Sequence, residues 1–143
     1  MANIGHMIKA VGISGLAAFL AYAINRLMVI TYGERAVKFL IPALEEGLKT
    51  SLSLFFQVEI PVVHAFFGAY EALYDLAANP GSRPARRWLA AVAALVGHGL
   101  FGYLTWILLE HEFHALIAVG IVGLLHCLWN LFALQSSLGE RIE

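Results

Sequence analysis

An all-α fold, a multi-pass transmembrane bundle of about five helices, is what this sequence predicts, and three observations carry the prediction. Of its 143 residues 60% are hydrophobic and 13% charged, and the mean hydropathy is +0.76, a balance far more apolar than an ordinary globular domain uses. The apolar residues fall in runs of roughly the 20-residue length that a hydrocarbon core about 30 Å thick demands of a helix. Between the runs stand helix-breaking or charged stretches. With no internal repeat, low-complexity tract or long linker, residues 1–143 form one transmembrane domain.

The spans are expected at about 8–30, 36–57, 60–77, 88–110 and 114–135. In the first, "AYA" at 21–23 fits a small-residue cleavage pattern, but the apolar run continues from Leu27 to Ile30 with no polar cleavage region, so a retained span is expected. "GHM" at 5–7 resembles a cloning junction, which would place the natural start at Met7. The second span is interrupted by "PALEEGLKT" at 42–50, and the third is short and charged, so its assignment leans on its neighbours. Before the fourth lies "NPGSRPARR", in which Pro80, Gly81 and Pro84 break helix and Arg83, Arg86 and Arg87 make the most basic connection. The positive-inside rule makes that loop cytoplasmic, with Arg35 and Lys38 on the same side. The acidic connection "EHEFH" before the fifth span then lies opposite, the N-terminus outside, and the C-terminal "GERIE" inside.

Composition also excludes. A net charge of −1 offers no basic face for nucleic acid. Cys127, the single cysteine, supports neither a disulfide framework nor a cysteine zinc site and reads as a packing residue. "GHGLFG" at 97–102 satisfies the dinucleotide-binding spacing GxGxxG but lacks the preceding strand, so its small residues are read as close helix packing. "HEFHA" at 111–115 is one position short of HExxH and reads as an outer loop.

Ionised side chains at bilayer mid-depth cost roughly 2.5–3.5 kcal/mol each on insertion scales, so they turn inward and mark function. Here Glu45 and Glu46 on the second span, Glu71 on the third, His98 on the fourth, and His126 with Asn130 on the fifth fall at similar depth. Lys49 follows Glu45 by four residues and Glu46 by three, bringing an ammonium within reach of both carboxylates. That pairing either holds one glutamate ionised as a base or is a structural ion pair. His126 and Asn130, one turn apart, both present hydrogen-bond donors suited to an oxyanion, though a histidine in such a place also serves helix–helix bonding. His64, Glu71 and Asp75 form a polar stripe on the third span, with Asp75 placed to snorkel toward the arginines and His64 read as structural. A metal, zinc foremost, could be assembled from Glu45, Glu71, His98 and His126; the expectation is that no cofactor is needed, because Lys49 already supplies positive charge.

In their order these segments resemble the PrsW family of intramembrane proteases, within the superfamily of CAAX prenyl endopeptidases and Abi proteins. "PALEEGLK" at 42–49 is similar to the family's EExxK motif, "FGAYEALY" at 67–74 to FxxxE, "GHGLFGY" at 97–103 to the histidine-centred motif, and "LLHCLWN" at 124–130 to HxxxN. The resemblance implies a prokaryotic plasma-membrane enzyme that hydrolyses a peptide bond of a membrane-anchored protein or peptide. Glu45 would activate water, His126 and Asn130 would stabilise the oxyanion, Glu46 and Lys49 would tune Glu45, and His98 would complete the pocket or move a proton. Glu71 stands where the CAAX branch has a histidine, and the chain is close to a minimal core where many relatives carry further spans. Two other classes fit the buried polar residues: a noncatalytic membrane scaffold, like the multi-spanning subunit of γ-secretase, and a proton or ion carrier.

Overall fold

The computed structural model describes residues 4–33, 35–78 and 83–139, with side chains to 132; Pro80, Gly81 and the terminal "ERIE" lie outside the described residues. Five helices, with no strand among the described residues, follow the five apolar runs: α1 Ile4–Tyr32, α2 Ile41–Phe56, α3 Ile60–Ala78, α4 Pro84–Glu110 and α5 Ala115–Gly139. Pro84 opens α4, where its missing N–H is no loss, and Arg83 sits ahead of it in extended conformation. Gln57 ends α2 in the left-handed region at φ 53°, a common way for a helix to stop.

A π-helical turn, Ala36–Leu40, leads into α2 without a break. Its register has a local cause. The Ile41 N–H reaches back five residues to the Ala36 carbonyl, and the next such partner, for Val37, would be Pro42, which has no N–H. Helix α5 reaches two carbonyls of this turn. Asn130 Nδ2 donates to the Val37 carbonyl at 3.2 Å and Cys127 Sγ lies 3.4 Å from the Phe39 carbonyl.

Helices α1, α4 and α5 are long and apolar enough to cross a membrane. Helix α3, at 19 residues, rises about 28 Å, close to the hydrocarbon thickness, but carries Glu71 and Asp75. Polarity thus gathers on α2 and α3, the two helices that the others shield. The distribution of side chains is inverted relative to a water-soluble protein: Lys49, His64 and Glu46 are the largest fully buried side chains, while Phe55 is 79% exposed and Leu116 76%. An apolar exterior around a charged interior is what a lipid solvent selects, so the chain is a helical membrane protein.

Small residues set the helix spacing. The buried face of α1 is Ala10, Ser14, Ala17 and Ala21, at spacings of four, three and four, and it packs on α3, where the Ser14 hydroxyl lies 2.9 Å from the Val63 carbonyl. Helices α3 and α4 share the largest contact. At Gly102 of α4 an added Cβ would lie 2.4 Å from the Cβ of His64, so only glycine admits that imidazole. Gly97 in turn lies under the Trp129 indole, so two of the three glycines of "GHGLFG" serve packing, while a side chain at Gly99 would meet open space.

Candidate functional site

Glu45, Glu46 and Lys49 project inward from α2, Glu71 from α3, His98 from α4 and His126 from α5, and the structure brings all six together. Lys49 organises them. Its ammonium, fully buried, donates to Glu46 Oε1 at 2.5 Å, lies 2.9 Å from His98 Nδ1, and sits 4.6 Å above the centre of the Phe67 ring. Three N–H groups thus meet three acceptors: carboxylate, imidazole nitrogen and π-face.

That arrangement fixes a tautomer. An ammonium only donates, so His98 Nδ1 accepts, the ring proton sits on Nε2, and Nε2–H donates to Glu71 Oε2 at 2.5 Å. On the other side, His126 Nδ1 donates to Glu46 Oε1 at 3.0 Å, which leaves Nε2 as the nitrogen not held by Glu46. An unbroken chain of bonds therefore runs His126, Glu46, Lys49, His98, Glu71, from a buried imidazole to a carboxylate 42% exposed. Phe67 and Phe101 pack on the imidazoles with ring centroids about 5 Å apart and wall the cluster in.

Glu45 stands beside this chain and is held separately. Asn25 of α1 donates from Nδ2 to Glu45 Oε1 at 2.8 Å. Glu45 and Glu71 face one cavity of about 260 Å³ between α1 and α3, which Tyr22, Asn25, Phe67 and Tyr70 also line. The site is thus a buried ion-paired network on one side and, on the other, two carboxylates that line a cavity, Glu45 buried and Glu71 partly exposed.

Glu45, His98 and His126 each place one ligand atom within 4.8 Å of the others, and all three are buried. The set of two imidazoles and a carboxylate suits zinc, and the bonds from Asn25 to Glu45 and from His126 to Glu46 are the outer supports such ligands use. Both nitrogens of His98 are engaged, however, so it would bind an ion only by releasing Lys49 or Glu71.

Among the residues singled out from the sequence, Asn130 alone is engaged elsewhere, its amide donor tied to the Val37 carbonyl of the π turn. His64, read as structural, lies behind Glu46 with Nδ1 3.5 Å from Oε2, fully buried. Asn25 was not foreseen, although it continues the inward stripe of α1 four residues beyond Ala21. A polar residue in register with a stripe of small ones was the available signal. His111 and His114 lie in the exposed turn between α4 and α5. Compared with known protein families, curated proteins and solved structures, the chain matches none.

Proposed function

We propose that the chain is an intramembrane endopeptidase of the PrsW-like type, acting on membrane-anchored polypeptides from a prokaryotic plasma membrane. One observation carries the proposal: a carboxylate, Glu45, facing a cavity between helices while a buried network of Glu46, Lys49, His98 and His126 stands directly behind it. Amide hydrolysis without a covalent intermediate needs a base, a water and preorganised charge for the oxyanion. Glu45 takes the proton of the water. His126, with Nδ1 committed to Glu46, turns Nε2 to the developing oxyanion as a donor when the ring is protonated. Lys49 supplies fixed positive charge beside the reaction, and its three occupied donors make it an organiser that does not touch substrate. Glu71 and His98, bonded to each other, complete the polar wall of the pocket beside the leaving amine. Asn130 braces the π turn from which α2 presents Glu45. A zinc ion held by Glu45, His98 and His126 would supply Lewis acidity to the same water, and the 4.8 Å grouping is what favours that version.

The test is cleavage of membrane-anchored peptides by the purified protein, with and without chelator, beside Glu45→Gln and His126→Ala. Wild type cleaves, and Glu45→Gln loses about 10²–10⁴-fold while still inserting; undiminished cleavage by Glu45→Gln would remove Glu45 as base. The unbroken chain from His126 to Glu71 favours a second reading, a proton carrier, which predicts proton uptake into vesicles, abolished by Glu71→Gln, and no cleavage.

A further inference from the structure

We infer that Asn25, on α1, is a catalytic residue that holds the attacking water together with Glu45; the inference rests on the endopeptidase reading and adds to it a helix that none of the four sequence motifs touches. Three observations lead there. Asn25 Nδ2 donates to Glu45 Oε1 at 2.8 Å, so the amide and the carboxylate are in contact. The other end of the same amide, Oδ1, is buried with no hydrogen-bond partner among the described residues. Both residues line the cavity between α1 and α3.

A buried carbonyl oxygen without a donor is uncommon, because taking it from water without replacing its hydrogen bonds is unfavourable. Asn25 and Glu45 line the same cavity, and the missing donor for Oδ1 is assigned to a molecule held there. A water molecule is a double donor, and a cavity of about 260 Å³ has room for one with a peptide segment beside it. With one O–H directed to Glu45 and the other to Asn25 Oδ1, the water keeps a lone pair for the substrate carbonyl. The step balances as follows. The water oxygen bonds to the carbonyl carbon, the proton facing Glu45 passes to that carboxylate, and the C=O π pair moves onto oxygen. Collapse of the adduct breaks the C–N bond, and the amine leaves with the proton that Glu45 took up. The other water proton, hydrogen-bonded to Asn25 Oδ1, stays on its oxygen as the hydroxyl of the new carboxyl group. Asn25 also keeps Glu45 from rotating back toward Lys49, so the base points to the cavity in the resting protein.

The experiment uses the full-length protein in lipid vesicles and a cleavable membrane-anchored peptide, with Asn25→Leu, Asn25→Asp and Thr31→Val. Thr31 lies on α1 with its hydroxyl bonded to the Leu27 carbonyl, at an exposed position outside the cavity, and its variant keeps wild-type rates. Asn25→Leu lowers kcat by roughly 10²–10³-fold, the loss seen when one preorganised polar contact to reacting atoms is removed, and leaves KM near wild type. Asn25→Asp keeps an acceptor for the water but loses the donor to Glu45, so it falls between the two and changes the shape of the kcat–pH profile, because two carboxylates in contact titrate as a pair. A merely structural asparagine would lower the folded fraction and leave kcat per folded molecule and the pH profile as they were. Either variant turning over at the wild-type rate per folded molecule, with an unchanged profile, overturns the role of Asn25. Wild type that cleaves nothing in the same vesicles defeats the endopeptidase reading itself, and the role of Asn25 with it.

Discussion

Lys49 is the residue on which the interior depends. Its ammonium is fully buried and its only charged hydrogen-bond partner among the described residues is Glu46, which in turn accepts from His126. Deleting one member of such a pair leaves the other charge uncompensated in a low-dielectric interior, whereas deleting both leaves only a packing difference. Lys49→Met is therefore expected to destabilise the fold by about 3–5 kcal/mol. The double variant Glu46→Gln/Lys49→Met recovers most of that loss, because the introduced amide still accepts from His126 and the introduced thioether chain still fills the space against Phe67. Reversible unfolding in mixed micelles reads both, and additive losses in the double variant would contradict the pairing. Activity follows a different rule from stability, since the double variant lacks the fixed positive charge beside Glu45 and stays inactive.

Among the elements, the π turn before α2 is the one with a local explanation and a distant brace. Pro42 removes the N–H that would have answered the Val37 carbonyl, and Asn130 replaces it from α5. Asn130→Ala should then cost about 1 kcal/mol, the low end of the penalty for a carbonyl left without a donor, because the contact is only part-buried. Pro42→Ala in the same chain returns an N–H at position 42 and restores stability, with activity rising alongside it. If Asn130 touched the oxyanion instead, Pro42→Ala would rescue folding and leave turnover low, so stability and kcat measured on the double variant separate the two roles. The sequence made the helices themselves legible, because apolar run length, prolines and the arginine-rich connection are local properties. It made Glu45, Glu46, Lys49, Glu71, His98 and His126 legible too, since a charge inside an apolar run has few places to go. The π turn was not read because a proline inside an apolar run does not announce the register of the turn before it, and the partner of Asn130 was not read because that bond joins residues 93 positions apart. Asn25 went unread for a related reason: a neutral amide carries no penalty conspicuous enough to set it apart, and only the register of α1 against α2 reveals which carboxylate it meets.

At the scale of the whole molecule the question is how the five helices sit in a bilayer when, among the described residues, three are long and apolar enough to cross one by length and composition. Alternation of direction along the chain puts the α2–α3 turn and the α4–α5 turn at one end. The cleft lined by Gln57 and Glu59 together with Tyr103 and Trp106 bears this out, since it joins the ends of α2 and α4. Tyr103 and Trp106 are half-exposed there, the amphipathic rings that favour a lipid–water boundary. By the same alternation Arg35, Lys38, Arg83 and Arg86 fall at the opposite end, which the positive-inside rule would make the cytoplasmic one. Glu46 and Lys49 are buried inside the bundle while Leu44, Leu54 and Phe55 are exposed on the other face of α2, so an α2 that crossed would meet lipid with its apolar side. Single cysteines placed in a Cys127→Ala background test this arrangement directly. In intact cells a membrane-impermeant maleimide is expected to label Gln57→Cys and Glu112→Cys, while Arg35→Cys and Arg83→Cys label only after the membrane is opened. Protection of Gln57→Cys together with labelling of Glu112→Cys would mean that α2 and α3 do not cross, and the cavity holding Glu45 would then open toward water along its length instead of toward lipid-held substrate.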